Sequence, residues 1–234
     1  MQQWPHQETV RDQPRRVEAP AIHTVMAYLK PTVFVVDDDV SVRQSLEALI
    51  QMAGWEARTF DSAEAFLAWP PAPAPNCLVL DVGLPDLNGL ELQARIAGTR
   101  AEMPIIFITG YGDVPTTVRA MKGGAVEFLT KPFGEEEMLG AIEAALERSR
   151  ETVGKQSALL DLRERYDSLS RRDREVMNLV VMGLLNKQVG GELGISEITV
   201  KAHRGRMVEK MRAASLADLV KMSTRLGLGS SSGA

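Results

Sequence analysis

Acidic, hydroxyl and basic side chains lie at the ends of separate apolar runs in this sequence. Asp37 and Asp38 follow one run, Asp81 follows a second, Thr109 ends a third, and Lys131 comes further along the chain. A buried parallel strand reads as a continuous apolar run, and an open α/β sheet binds its ligands just beyond the carboxyl ends of its strands. Three carboxylates, a hydroxyl and an ammonium at one such edge predict a site for a hard cation and a phosphoryl group.

The residue types suggest a role for each group in that site. Asp81 is the candidate nucleophile, because a carboxylate can accept a phosphoryl group to give an aspartyl phosphate. Asp37 and Asp38 supply oxygen ligands for Mg²⁺, which offsets the mutual repulsion of close carboxylates. Lys131 neutralises phosphate charge, and the hydroxyl of Thr109 donates to a phosphate oxygen. Taken singly, an Asp after an apolar run is most often a turn or a helix cap, so the hypothesis depends on the order and shared position of all five residues.

Strand and helix patterns alternate through residues 32–150 and must position these groups. Apolar runs predict five strands, at Thr32–Val36, Glu56–Phe60, Cys77–Leu80, Ile105–Ile108 and Val126–Leu129. Helical patterns lie between and after the strands, at Ser41–Met52, Ser62–Ala68, Leu90–Ile96, Thr116–Lys122 and from about Glu135. This alternation predicts an α/β fold, a doubly wound five-stranded parallel sheet with helices on both faces.

Length and charge divide the chain. With 234 residues, two domains are the better expectation. Residues 1–168 hold 16 Lys and Arg against 25 Asp and Glu, a charge of −9, whereas residues 169–234 hold 11 against 6, a charge of +5. A basic third on an acidic body predicts nucleic-acid contact by that third, with an ordinary solvated surface as the alternative.

Composition and cysteine content predict a cytoplasmic protein with no membrane partner. No apolar stretch approaches the roughly 20 residues of a membrane span, and the N-terminal residues lack the apolar core of a signal peptide. The one cysteine, Cys77, excludes a disulfide framework and is expected to be a small buried hydrophobe. These features suit a reducing compartment.

Composition also predicts how the chain is organised. We expect a disordered extension at 1–30, the α/β domain at 31–150, a helical linker at 151–168, an all-α domain of four helices at 169–228 and a disordered tail at 229–234. The linker is mostly charged, with apolar residues at intervals. It has too few heptad repeats to establish a coiled coil with a second copy of the chain. The four helices are predicted from the Ser170 cap to about Met182, and at Lys187–Leu193, Glu197–Met211 and about Leu216–Arg225.

The second and third of these helices, joined by Gly194 and Ile195, have the spacing of a helix-turn-helix. Val200, Met207 and Met211 fall on one face of the third helix and are expected in the core. Basic, polar and small residues occupy the opposite and flanking positions, namely Thr199, Lys201, Ala202, Arg204, Gly205 and Arg206. Such a basic face fits the major groove of double-stranded DNA, although a helical bundle with a solvated face is an equal alternative on spacing alone.

Residues 33–43, 78–90 and 104–133 resemble the receiver domain of two-component response regulators. The resemblance implies the strand order 2-1-3-4-5 and transfer of a phosphoryl group from a sensor histidine kinase to Asp81. It also implies how Mg²⁺ is held, with Asp38 and Asp81 as direct ligands, Asp37 acting through water, and the carbonyl of Gly83 as a further ligand.

The same resemblance implies roles for the residues around the phosphoryl group. Thr109 and Lys131 would bind the phosphoryl oxygens, and the peptide between Lys131 and Pro132 is expected to be cis. Phe128 stands where receivers carry an aromatic residue that couples to the threonine. Because Phe128 lacks the hydroxyl often found there, we expect no hydrogen bond from this residue in the switch.

Residues 186–189 and 193–204 resemble the four-helix DNA-binding domain of the LuxR/NarL/FixJ family. The resemblance implies that Lys201, Ala202 and Gly205 face the bases. It implies that a further group lies near phosphates, consisting of Lys187, Ser196, Thr199 and Arg204. His203 is expected to be packed or to face a phosphate, because no second metal ligand lies near it in the sequence.

Two departures from the family pattern alter these expectations. Gly190 and Gly191 fall inside the first helix of the motif, where relatives usually carry alanine. Each glycine costs about 0.5–1 kcal/mol relative to alanine, so this helix is expected to be weak. Gly205 offers no side chain at a position often used for base contact, so sequence readout is expected to rest on fewer residues.

Together the two resemblances cover about residues 31–226 and imply a cytosolic transcriptional response regulator of the FixJ/NarL type. Such a protein is not an enzyme, except that its receiver domain catalyses its own phosphorylation and dephosphorylation. Phosphorylation of Asp81, relayed through Thr109, is expected to favour a homodimer through the fourth helix, fifth strand and last helix of the receiver, and so to promote DNA binding. One alternative is a transcription regulator that is independent of phosphorylation and uses the pocket only structurally. The other is a phosphatase, against which Gly83 counts, because such enzymes usually carry a second carboxylate at that position.

Overall fold

The computed structural model describes residues 30–72, 74–100 and 102–228. The predicted tail at 229–234 and all but the last residue of the predicted N-terminal extension lie outside these described residues.

Five parallel strands form one sheet in the order β2-β1-β3-β4-β5, which confirms the predicted fold and strand order. The strands are β1 Thr32–Val36, β2 Glu56–Phe60, β3 Asn76–Asp81, β4 Ile105–Thr109 and β5 Glu127–Thr130. Val36 pairs with Leu80 and Asp81 pairs with Ile108, so the ends of β1, β3 and β4 lie side by side. Asp81 and Thr109 are themselves the last residues of their strands, one position beyond the predicted ends.

Helices cover both faces of the sheet, with the bounds α1 Val40–Met52, α2 Ala63–Ala68, α3 Gly89–Ile96, α4 Val114–Lys122 and α5 Glu135–Asp167. One apolar layer packs α2, α3 and α4 against one face, and a second packs α1 and the first half of α5 against the other. Cys77 is buried in the second layer, and burial raises the pKa of its thiol, as expected for an inert small hydrophobe.

Short polar side chains cap the helices that follow β1 and β4. The carboxylate of Asp39 accepts a hydrogen bond from the backbone N–H of Ser41 at the start of α1, and Asp113 accepts one from Thr116 at the start of α4. These caps satisfy backbone donors that an α-helix leaves without intrahelical partners. The caps and the strand ends together fix where each loop at this edge begins and ends.

The last helix of the α/β unit continues without a break through the predicted linker. Helix α5 has 33 residues, a length of about 50 Å. Its first half buries Met138 and Ile142 against the sheet, and Ser149 accepts a hydrogen bond of 3.0 Å from the backbone N–H of Asn76. Leu162, near its carboxyl end, belongs to the core of the following helical unit. Within the described residues, no helix combines the length and apolar character that crossing a membrane requires.

The remaining four helices are α6 Arg171–Val181, α7 Asn186–Leu193, α8 Glu197–Met211 and α9 Leu216–Arg225. They pack around a shared apolar core, and Val200, Met207 and Met211 of α8 are fully buried in it, as predicted. Between α7 and α8 the chain turns at Gly194, whose φ of +66° lies in the left-handed region that glycine tolerates best.

Gly190 is required by close approach within this helix-turn-helix. A Cβ at Gly190 would lie 2.7 Å from the carbonyl oxygen of Ile195, whereas a Cβ at Gly191 would meet nothing within 4 Å. The two adjacent glycines therefore have different consequences. Gly190 lets the turn after α7 pack against the helix. Gly191 lowers the stability of the helix, and no close contact requires a glycine there.

This difference predicts opposite effects of alanine at the two glycines. Gly190→Ala should lower the free energy of unfolding of the helical unit by about 1–3 kcal/mol, because the added methyl group overpacks against backbone. Gly191→Ala should raise it by up to about 0.5–1 kcal/mol through helix propensity. Differential scanning calorimetry of the full chain measures both changes, and a stabilising effect of alanine at Gly190 would contradict the packing argument.

Candidate functional site

Three aspartates converge at the carboxyl ends of β1 and β3. Asp37 is fully buried, Asp81 is 8% exposed and Asp38 is exposed. One carboxylate oxygen from each of the three lies within 4.8 Å of the other two. The predicted acidic cluster is therefore assembled in the fold, because β1 and β3 are neighbours in the sheet.

Lys131 connects the two buried carboxylates. Its Nζ donates to Asp37 Oδ2 at 2.6 Å and to Asp81 Oδ2 at 3.1 Å. Lys131 follows β5, at the far edge of the sheet from β2, and its side chain reaches carboxylates that follow β1 and β3. The peptide between Lys131 and Pro132 is cis, as expected.

The charges in this site are unbalanced. Burial raises the pKa of the Asp37 carboxyl, against the opposing effect of the hydrogen bond from Lys131. Burial lowers the pKa of Lys131, but its hydrogen bonds and charge interactions with Asp37 and Asp81 outweigh that effect and leave the pKa raised. Three carboxylates thus meet two positive charges, the Lys131 ammonium and the Arg43 guanidinium, which bonds the backbone beside them. The excess negative charge on oxygen donors fits a hard divalent cation such as Mg²⁺.

Backbone groups orient the two buried carboxylates. The N–H of Asp39 donates to Asp37 Oδ1 at 2.9 Å, and the N–H of Gly83 donates to Asp81 Oδ1 at 3.1 Å. Both carboxylates thereby keep one oxygen bound to backbone and the other to Lys131. The Asp81 side chain keeps 11% of its surface exposed, whereas that of Asp37 is fully buried.

Two supporting residues were not identified from the sequence. Arg43 Nη1 donates to the carbonyl oxygens of Asp37 and Asp38, at 2.6 and 2.9 Å, and so fixes the loop that carries both acids. A Cβ at Gly89 would lie 2.5 Å from the carbonyl oxygen of Asp81, so α3 can begin here only with glycine. The available signal for Arg43 was its position one helical turn after the Asp39 cap, where a long side chain can reach back.

Thr109 ends β4 and Phe128 lies in neighbouring β5, and no hydrogen bond joins the Thr109 hydroxyl to the acidic cluster. The buried Thr109 hydroxyl donates to the carbonyl oxygen of Tyr111 and accepts from its N–H, both at 3.2 Å. Phe128 is half-buried, with its ring centroid 6.3 Å from that of Phe107. The hydroxyl predicted to bind a phosphate oxygen is thus at the right edge of the sheet, but bonded to its own loop.

The second predicted site lies on α7 and α8. Lys187, Ser196, Thr199, Lys201, Ala202 and Gly205 are all exposed. Ser196 caps α8 by accepting from the N–H of Thr199 at 3.1 Å, and the two hydroxyls are 2.8 Å apart. Arg204 is half-buried, and its Nη1 donates to Asn186 Oδ1 at 2.6 Å, which joins α8 to the start of α7. The exposed face of α7 and α8 therefore carries the basic residues Lys187 and Lys201, and Glu197 is an exposed acid in the first turn of α8.

His203 is a packed residue, as the sequence indicated. Its side chain is 13% exposed, and Nδ1 lies 2.7 Å from Asp173 Oδ1. Ser170 donates to the other carboxylate oxygen of Asp173 at 2.6 Å. Burial would raise the pKa of Asp173, but the hydrogen bonds from Ser170 and His203 and the charge of Arg206 lower it below its usual value. His203 thereby fastens α8 to α6 through an ionised carboxylate.

Comparisons with known proteins place both units of the chain in described families. Residues 33–143 match the family model for the response regulator receiver domain, and residues 167–223 match the model for bacterial regulatory proteins of the luxR family. Nodulation protein W of Bradyrhizobium diazoefficiens is 51% identical over 86% of this chain and 89% of its own length. The transcriptional regulatory protein FixJ of Rhizobium meliloti is 42% identical over 86% of this chain and 98% of its own length. The solved structure of the response regulator StyR is 46% identical, covers 84% of this chain and 100% of its own, and superposes with a TM-score of 0.77.

Because Lys131 bridges two carboxylates, we expect its removal to destabilise the α/β unit. Lys131→Met should lower the free energy of unfolding of the α/β unit by about 1–3 kcal/mol, because Asp37 and Asp81 would then face each other without a compensating charge. The matched control is Lys122→Met, which removes an exposed lysine of α4. Urea denaturation followed by tryptophan fluorescence measures both variants, and equal losses in the two would contradict the bridging role.

Proposed function

The chain belongs to the FixJ/NarL family of two-component response regulators, which bind DNA and regulate transcription, and from that premise we propose that Asp81 is its phosphoacceptor. A sensor histidine kinase is the donor: one carboxylate oxygen of Asp81 forms a bond to phosphorus while the bond from phosphorus to the histidine nitrogen of the kinase breaks. The proposal rests on the contacts of Lys131, whose ammonium donates hydrogen bonds to the carboxylates of both Asp37 and Asp81 at one edge of the sheet.

The acidic cluster is the proposed magnesium site. Asp38 and Asp81 would hold the ion directly, Asp37 through water, and Gly83 through its carbonyl oxygen. When bound, Mg²⁺ supplies positive charge to the phosphoryl oxygens. Buried Asp37 and half-buried Lys131 keep the rest of the site fixed, so that the phosphoryl group meets a preorganised arrangement of charges.

Lys131 and Thr109 are the proposed partners of the phosphoryl oxygens. Lys131 already bonds Asp81 and needs to move little to neutralise an added phosphoryl charge. Thr109 bonds the backbone of Tyr111, so its hydroxyl would have to exchange that partner for a phosphoryl oxygen. This exchange couples the chemistry to the loop between β4 and α4, and Phe128 packs beside that loop.

The proposed consequence is a homodimer through α4, β5 and α5. The support for this surface is its exposed apolar residues at the start and along the outer side of α4, namely Tyr111, Val114, Val118 and Met121. Dimerisation would bring two helical units to a spacing that suits paired half-sites on double-stranded DNA. In each unit, Lys201, Ala202 and Gly205 would face bases, and a second set would lie near phosphates, comprising Lys187, Ser196, Thr199 and Arg204. A regulator that meets both a kinase and DNA in this way acts in the cytoplasm.

The phosphoacceptor assignment predicts the behaviour of Asp81→Asn. With acetyl phosphate and Mg²⁺, the unaltered chain should shift towards a dimer and bind its DNA about tenfold more tightly, and the variant should show neither response. Light scattering measures the dimer, and fluorescence anisotropy with labelled duplex measures DNA binding. Asp61→Asn, which neutralises an exposed aspartate outside the cluster, is the control.

Two results would contradict this assignment. A response to acetyl phosphate that persists in Asp81→Asn would put the acceptor elsewhere. Equal DNA binding by the unaltered chain with and without acetyl phosphate would instead favour the regulator that is independent of phosphorylation.

The magnesium assignment predicts the behaviour of Asp38→Asn. Mg²⁺ at ten times its dissociation constant stabilises the unaltered chain by about 1.4 kcal/mol, seen as a rise in Tm. The exposed Asp38 contributes little to folding, so its asparagine variant should keep the metal-free Tm and lose most of that rise. Glu91→Gln, an exposed carboxylate on α3, should behave like the unaltered chain. A full magnesium response in Asp38→Asn would remove this residue from the site.

A further inference from the structure

We propose that Ile198 reads the 5-methyl group of thymine in the major groove and so determines part of the DNA sequence that this chain selects. The inference rests on the proposed DNA-binding function of α8 and names the base chemistry that the helix recognises.

Ile198 lies on the outward stripe of α8. It is 80% exposed although it belongs to a helix whose Val200, Met207 and Met211 are fully buried. Positions 198, 202 and 205 are spaced by four and three residues, so they share one face of the helix. Ala202 and Gly205 are exposed on that face as well, and Lys201 is exposed beside them.

Folding of the chain does not account for this stripe. An exposed isoleucine leaves apolar surface in water, which is unfavourable. A glycine in a helix interior is destabilising relative to alanine, and a Cβ at Gly205 would meet nothing within 4 Å, so packing does not require it. A single exposed apolar side chain is ordinary on any protein surface. Here the exposed isoleucine shares one face of α8 with two small residues, Ala202 and Gly205, and this combination indicates an external ligand.

Thymine supplies the ligand chemistry that matches this stripe. In the major groove each base edge presents hydrogen-bond donors and acceptors, and thymine adds an apolar methyl group, which apolar side chains contact. Ile198 has no hydrogen-bonding group, so a methyl group is the feature of a base edge that it can recognise. Ala202 and Gly205 carry at most one side-chain carbon, which lets the helix backbone come close to the base edges.

Charged groups frame the stripe and favour nucleic acid as its occupant. Lys187 and Lys201 are exposed, and half-buried Arg204 is held against Asn186 near the start of α7. These three positive charges outnumber the acid next to Ile198, the exposed Glu197 in the first turn of α8. The positive charges suit phosphates on either side of a groove. An apolar stripe between such charges matches a major groove, where thymine methyl groups lie between two rows of phosphates. A surface that binds an apolar peptide would instead be uncharged.

Base analogues test the inference directly. The full chain, treated with acetyl phosphate and Mg²⁺, selects duplexes from a random-sequence library, and each thymine of the selected half-site is then replaced by uracil, which lacks only the methyl group. We expect at least one replacement to weaken binding by about fourfold, the effect of one buried carbon group. Ile198→Ser should lose this discrimination and bind the two duplexes within about 1.5-fold, while Ile198→Val should retain it.

Controls separate this inference from the function on which it rests. Met182→Ser alters an exposed methionine that follows α6, outside α8, and should discriminate as the unaltered chain does. Circular dichroism and salt-dependent binding to unselected DNA show whether each variant is folded and binds phosphates. Failure of the unaltered chain to bind any duplex would reject the proposed DNA binding itself. Two results obtained with normal DNA binding would overturn the role of Ile198. One is a uracil penalty that is unchanged in Ile198→Ser, and the other is a selected site without a T·A pair. Either result would favour a protein partner for this side chain.

Discussion

The contact between Lys131 and two buried aspartates is the interaction on which the rest of the α/β unit depends. Asp37 and Asp81 are nearly inaccessible to water, and carboxylates in such positions repel each other unless positive charge lies between them. One ammonium offsets part of that repulsion and leaves a net negative site. In the proposed function, the remaining imbalance attracts a divalent cation, and the addition of a phosphoryl group is an electrostatic change that neighbouring loops would sense.

The parallel sheet creates this contact by register. Because all strands run the same way, the residues that follow them meet at one edge, and the order β2-β1-β3-β4-β5 puts the two acid-bearing strands next to each other. Arg43 and Gly89 then set the backbone of the two acid-bearing segments, one by binding carbonyl oxygens and the other by allowing α3 to approach Asp81. Continuous helix α5 contributes its first half to the core of this unit and Leu162 to the core of the helical unit, so one helix belongs to both cores.

Local patterns predicted much of this architecture, and the contacts that individual groups make in three dimensions were the part they missed. The apolar runs before Asp37 and Asp81 identified strands and strand ends, because a buried parallel strand has a simple hydrophobic pattern. Composition predicted a helical linker at 151–168, and these residues are helical up to Asp167, but they continue α5 without a break after residue 150. Gly190 and Gly191 look alike in sequence, and only the proximity of Ile195 distinguishes them. The same limit applies to Thr109: the apolar run before it identifies the end of a strand, but it does not reveal that the hydroxyl bonds the backbone of Tyr111.

The central claim is that this edge of the sheet makes Asp81 the acceptor of a phosphoryl group. Its most direct test is chemical: the chain is incubated with acetyl phosphate and Mg²⁺, aspartyl phosphate is reduced with borohydride to homoserine, and peptides are mapped by mass spectrometry. The account predicts conversion at position 81 alone, dependent on Mg²⁺. Conversion at Asp37 or Asp38 instead, or no conversion at any aspartate, would contradict it.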